Sequence, residues 1–294
     1  MRRSVRLVQW FNHACPWHQP KHSLAKWAAR RLERGAGPRL YPGIQGGLAM
    51  RLDPSSSYER SILLNAADVK LLDVYRKILR PGDAVIDAGA NIGHLALAAS
   101  RLVGPAGKVY AFECGPRALE RLRENVELNG ASNVVVVDRA CWDSEGTSTL
   151  YDFDEKEIDL PSMGRRSDRS VAREIAIRTA RIDDVVKEPV RLVKIDVEGA
   201  ELAALRGAER VLFSDPRPDL IVELNPKTSR AFGYHPMDVV DHILARAPGA
   251  GMTLVKARRT RPVTRDELDR LLRGDEGKNH NVWFGGSSYP STGS

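Results

Sequence analysis

The sequence predicts an α/β domain built on a mostly parallel sheet. Three observations predict it. From about residue 52, short apolar runs alternate with segments of helical period. The run 84–87 feeds a glycine-rich turn that opens a helix. Later runs such as 134–137 are apolar without alternation, as in strands covered on both faces. Strands separated by helices pair in parallel through right-handed crossovers.

Residues 66–79 read as a helix with Val69, Leu72, Tyr75 and Leu79 on one face, stopped by Pro81-Gly82. A strand over 84–87, a helix over 94–102 and a strand over 108–113 follow. Pro116 opens the next helix, where its missing N–H is not needed, and Gly130 caps it. Leu119, Leu122 and Val126 are its expected buried face. The run 134–137 is a strand, and 147–153 and 173–179 alternate as two more, around a polar loop at 154–170. The parallel pattern resumes with a strand at 191–195 and one helix over 200–213, buried on Leu202, Leu205 and Leu212. A strand at 219–224, a helix at 236–245 and a closing pair of strands at 252–256 and 281–284 complete a domain over 52–286. Residues 287–294, rich in Ser and Gly, read as a disordered tail.

Residues 1–51 differ. They hold three of the five tryptophans and ten Lys and Arg against one acid, Glu33. Of the net charge of +7, this arm therefore carries +9 and the remainder −2. Residues 23–33 have Leu24, Trp27, Ala28 and Leu32 at helical spacing with a basic opposite face. The favoured reading is an arm packing on the domain or in a homodimer; the alternative is peripheral contact with an anionic membrane. Residues 35–47, rich in Gly and Pro, read as a loop. His13, Cys15, His18 and His22 match no structural zinc spacing, and no metal is expected. Three scattered cysteines argue against a disulfide framework. No apolar run approaches the roughly 20 residues of a membrane span. The N-terminus does not read as a signal peptide, so the expected location is the cytoplasm.

Four motifs carry chemistry. Asp87-Ala88-Gly89-Ala90-Asn91-Ile92-Gly93 joins a strand to a helix, and its glycines let a ligand approach the backbone. The helix start suits a carboxylate or phosphate, and Asp87 suits an ammonium. Glu113 ends the next strand, where a carboxylate accepts hydrogen bonds from ribose hydroxyls. Asp196 follows the strand of VKIDVEGAE and should face the same crevice. Glu223 and Asn225 alternate at the next strand end, placed to orient an acceptor hydroxyl. His94 offers a second candidate proton acceptor, or a helix-start residue in solvent.

In order and spacing, VIDAGANIG, VYAFECGP, LNG, VKIDVEGAELAALRGA and LIVELNP resemble the FkbM-type methyltransferases over about residues 52–284. The resemblance implies a class I, Rossmann-like three-layer α/β/α fold, with a seven-stranded sheet whose last strand is antiparallel. It implies S-adenosylmethionine as cofactor and methyl transfer to a hydroxyl of a sugar, polyketide, lipid-linked glycan or other secondary metabolite. Carried over by position, Asp87, Gly89, Ala90, Asn91 and Gly93 would hold the methionyl part. Glu113 and Cys114 would lie at the ribose, Asp138, Arg139 and Ala140 near the adenine, and Asp196 beside the methyl group. Asp196, Glu223 and His94 are the candidate catalytic residues. Cys114 stands where such proteins often carry proline, and His94 where they often carry an aromatic or aliphatic residue.

Three other functions compete with this one, and the intact acids disfavour the first, a non-catalytic relative that only binds partners. A nucleic-acid methyltransferase that modifies base amino groups usually needs an Asn/Asp-Pro-Pro-aromatic element, and Asp196-Val197-Glu198 is not one. No nucleic-acid partner is therefore expected. An NAD-dependent oxidoreductase calls for G-x-G-x-x-G, whereas this turn is G-x-x-x-G.

Overall fold

The computed structural model describes residues 37–153, 161–165, 170–256, 259–274 and 278–285. The amphipathic helix at 23–33, the His/Cys cluster and the tail fall outside these residues.

The described chain opens with β1 (Arg39–Ile44), β2 (Leu48–Leu52), α1 (Ser57–Leu63) and α2 (Val69–Ile78). Next come β3 (Ala84–Ala88), α3 (His94–Val103), β4 (Lys108–Phe112), α4 (Pro116–Leu128) and β5 (Val134–Val137). A middle group holds β6 (Ala140–Cys141), β7 (Gly146–Phe153), β8 (Val171–Ala180) and α5 (Ile182–Val185). Then follow β9 (Leu192–Ile195), α6 (Glu201–Arg206), α7 (Glu209–Phe213), β10 (Asp219–Leu224) and α8 (Pro226–Arg230). The last elements are α9 (Pro236–Arg246), β11 (Met252–Val255), β12 (Thr260–Pro262), α10 (Arg265–Gly274) and β13 (His280–Phe284).

The main sheet runs β12-β11-β13-β10-β9-β3-β4-β5. β10, β9, β3, β4 and β5 are mutually parallel, and β13 lies antiparallel between β10 and β11. These are the seven strands expected, with β12 added as an eighth at the edge. Alternation along each central strand divides the core in two. Ile86, Ala88, Val193, Ile195 and Val222 pack under α6, α7, α9 and α10. Val85, Val109, Ala111, Leu192 and Ile221 pack under α2, α3 and α4. Each buried Val, Leu or Ile side chain among these, fully withdrawn from water, contributes about 1.5–3 kcal/mol. Helices on both faces make the three layers.

Several local expectations change. Residues 39–52 form an antiparallel hairpin where a loop was expected over most of that stretch. Its Tyr41, Ile44, Leu48, Met50 and Leu52 share one cluster with Ile62, Leu63, Ile92 and Leu97. The side chains that alternate inward belong to the hairpin's strands, and glycine-rich composition hid them. Val134–Val137 is an edge strand with only Val134 buried, because β5 ends the sheet and one flank has no partner. The alternating strands β7 and β8 pair with each other and with β6 in a separate three-stranded sheet. Val69 points outward on α2, whose buried face uses Leu71, Leu72, Val74, Tyr75 and Ile78.

The single helix expected over 200–213 is two. The Gly207 carbonyl accepts from the Asp183 N–H at 3.0 Å, not from the next helical turn. The Asp183 carboxylate in turn accepts from the N–H groups of Arg210 and Val211 at 2.9 and 3.0 Å, capping α7. Among the described residues, no helix is long and apolar enough to cross a membrane.

Candidate active site

Because β3, β4, β9 and β10 are parallel, their carboxyl ends meet at one edge of the sheet, where open α/β sheets bind ligands. A cavity of about 520 Å³ lies there. Asp87, Gly89, Ala90, Asn91, Glu113, Cys114, Arg139, Ala140, Asp196 and Glu223 all line it. Five separate stretches of sequence thus converge.

The turn after β3 is shaped by contact between strand ends. Gly89 has φ +81°, and a Cβ there would sit 1.8 Å from the Asp196 carbonyl oxygen. Glycine is therefore required by the crossing of β3 and β9, in addition to any ligand. Asn91, Asp68 and Glu198 are non-glycine residues at φ 48°, 51° and 52°, and all three line the cavity. Such backbone costs of order 1–3 kcal/mol each and clusters at functional sites.

Glu113 is fixed by three backbone donors. The Asn91 N–H donates to Oε2 at 2.8 Å, and the Cys114 and Gly115 N–H groups donate to Oε1 at 2.9 and 2.7 Å. Burial raises its pKa, and these donors oppose the rise. The remaining lone pairs can accept from a ligand diol.

Asp87 is 1% exposed, and neither carboxylate oxygen accepts a hydrogen bond. Lys194 Nζ lies 3.5 Å from Oδ1, within ion-pair range but too long for a good hydrogen bond. Burial raises the Asp87 pKa; Lys194 opposes the rise and Asp196 adds to it. A buried carboxylate without a donor, opening on a cavity, fits a ligand ammonium. Lys194 itself is 3% exposed and lies 3.2 Å from Asp196 Oδ2. Burial favours its neutral form, yet Asp196 and Asp87 outweigh burial and hold its pKa well above the usual lysine range.

The far wall is acidic. Carboxylate oxygens of Asp196, Glu198 and Glu223 lie within 4.8 Å of one another. Burial, then the charges of Asp196 and Glu198, push the Glu223 carboxyl well above its ordinary range. Asn279 Nδ2 donates to Glu223 Oε1 at 2.6 Å.

Three expected residues do not join this group. Gly93 lies behind the turn against Leu122. The Asp138 side chain is 42% exposed and pairs with Arg123 and Arg178 outside the cavity. His94 is 1% exposed, with Nδ1 3.2 Å from Asp68 Oδ2 and Nε2 2.6 Å from Gln45 Oε1. It ties the β1–β2 turn to α3 and does not line the cavity.

Sequence reasoning missed Lys194, Tyr58, Asp68, Asn279 and Asn281, all of which line the cavity. Lys194 had a signal, as the one charge within the apolar strand LVKI. Tyr58 donates to Asp68 Oδ2 at 3.0 Å. These two come from the α1–α2 region, which no motif marked.

The family model described as the methyltransferase FkbM domain matches residues 87–246. The chain is 28% identical over 169 residues to the tRNA (adenine(58)-N(1))-methyltransferase catalytic subunit TRM61 of Yarrowia lipolytica, covering 53% of this chain and 43% of that protein. It is 32% identical over 179 residues to a probable cobalt-precorrin-6B C(15)-methyltransferase (decarboxylating) of Sulfolobus acidocaldarius, covering 59% of this chain and 85% of that one. A solved FkbM methyltransferase from Methylobacillus flagellatus superposes with TM-score 0.46 at 15% identity, covering 95% of this chain and 76% of that chain. The chain spans about two-fifths of the length of the tRNA methyltransferase subunit.

Proposed function

The chain belongs to the FkbM methyltransferase family, and from that premise we propose that it methylates a hydroxyl group of a small acceptor, such as a sugar, polyketide or lipid-linked glycan, using S-adenosylmethionine. The observation that carries this reading is the convergence of Asp87, Glu113 and Asp196 on one cavity. Asp87 would take the methionyl ammonium, and Glu113 the ribose hydroxyls. Ala140 and Cys141 would border the adenine. Bound there, the cofactor supplies a sulfonium methyl group, which is electrophilic.

The protein's task is alignment and proton removal. A neutral hydroxyl is a poor nucleophile, and a positioned base contributes typically 10²–10⁴-fold. Asp196 is that base in this reading. Asp196 would take the acceptor's hydroxyl proton, and the bound cofactor would supply the methyl group that the acceptor oxygen receives. Glu223, held by Asn279 and raised in pKa, orients the acceptor as a hydrogen-bond donor. His94 has no part in the chemistry.

The test is transfer of labelled methyl from S-adenosylmethionine to a panel of sugar, polyketide and lipid-linked acceptors. Asp196→Asn should lower turnover at least 100-fold with cofactor binding retained. Full turnover in that variant would remove Asp196 as base. Family membership sets aside the NAD-dependent alternative. RNA is the second reading, favoured by the likeness to the tRNA methyltransferase subunit. It requires RNA binding that falls steeply with salt.

A further inference from the structure

Lys194 is the buried charge that the proposed chemistry leaves unused. It stands opposite Asp87 in the β3–β9 register and beside Ile221 of β10. By strand alternation its side chain shares a face with Asp87 and Asp196, under the buried Tyr75 of α2. Its ammonium reaches Asp87 Oδ1 at 3.5 Å and Asp196 Oδ2 at 3.2 Å. A buried lysine is costly unless paired, and here one ammonium serves two carboxylates.

We propose that Lys194 is a positioning residue: shared between Asp87 and Asp196, it fixes both carboxylates at the cavity floor in the orientation that proton removal by Asp196 needs. This rests on the reading of Asp196 as base. The groups facing Asp196 are mostly acidic. Asp87 approaches from β3, Glu223 from β10, Glu198 and Glu201 from the stretch after β9, and Tyr58 and Tyr75 from the α1–α2 side. Of these neighbours Lys194 alone brings a positive charge to the Asp196 carboxylate. Remove it, and the Asp196 carboxylate loses the ammonium 3.2 Å away.

Loss of the shared ammonium in Lys194→Met should lower turnover about 100-fold, the scale of a 1 Å misplacement of a reacting group. Lys194→Arg keeps the charge and should restore most of that turnover. Turnover in Lys194→Met within twofold of the parent would overturn the proposal.

A second readout needs neither cofactor nor a folded Met variant. In the cofactor-free protein, side-chain nitrogen NMR should show the Lys194 ammonium persisting above pH 10.5, the ordinary lysine value. Asp196→Asn and Asp87→Asn should each bring its titration down. A Lys194 that titrates as a surface lysine in all three proteins contradicts the shared ion pair. The two failures are distinguishable. If Asp196 is not the base, Asp196→Asn stays active while the ammonium still titrates high. If only the Lys194 role is wrong, Asp196→Asn is inactive and Lys194→Met keeps the parent's turnover.

Discussion

Replacing Asp87 by Asn separates what this carboxylate does for binding from what it costs the fold. Asp87 is 1% exposed and accepts no hydrogen bond. A hydrogen bond between its carboxylate and a ligand ammonium is worth about 1.5–3 kcal/mol net. At 1.4 kcal/mol per tenfold, Asp87→Asn should weaken S-adenosylmethionine by roughly 10- to 140-fold. Stability should move the other way. Because burial raises the Asp87 pKa in the fold, its contribution is full below the unfolded value and is lost as pH rises through the folded one. Asn escapes that loss, and Lys194 keeps its nearer partner, Asp196, at 3.2 Å. The cofactor-free variant should thus melt no lower than the parent at pH 8. Isothermal titration calorimetry with S-adenosylmethionine and with 5′-methylthioadenosine, which lacks the amino acid end, reads the effect. Only the first should weaken. Equal weakening of both ligands, or a Kd within twofold of the parent, would refute the assignment of Asp87 to the ammonium.

Two further substitutions test the frame around the site. Gly89→Ala places a Cβ against the Asp196 carbonyl at positive φ; the left-handed penalty of about 1–2 kcal/mol and overpacking of about 1–3 kcal/mol should together cost about 2–5 kcal/mol in urea unfolding. Glu201 is pushed up to about 7, chiefly by burial, while the N–H of Gly199 opposes the rise. Its contribution to stability is complete below about pH 4.5 and lost as pH rises through about 7. Urea midpoints of the parent should therefore fall relative to Glu201→Gln between pH 5.5 and pH 8, and parallel midpoints would contradict the shift.

The sheet was legible because its signals are local. The runs at β3, β4, β9 and β10 are short and apolar, and each ends in the acid that later meets the others. The cavity was legible only in part. Motif positions at strand ends converge as parallel topology demands. Contributions from α1, α2 and the approach to β13 depend on tertiary folding and leave no periodic trace. His94 illustrates the limit. Sequence placed it beside the glycine-rich turn, but its ring faces Asp68 and Gln45, the latter on a hairpin that composition disguised as a loop. The break at Gly207 likewise depends on Asp183, 24 residues earlier, which no window of helical period could include. Lys194 was legible and unread: a lone charge in LVKI asks for a buried partner, and two were already named.

The most direct test of the central claim is a crystal structure of the protein with S-adenosylhomocysteine, the product of methyl transfer. The product should lie in the cavity at the ends of β3, β4 and β9. Its ammonium should be within hydrogen-bond reach of Asp87, its ribose hydroxyls on Glu113, and its sulfur facing Asp196. Product bound with its ribose away from Glu113 and its amino acid end away from Asp87, or no product bound at millimolar concentration, would contradict the account.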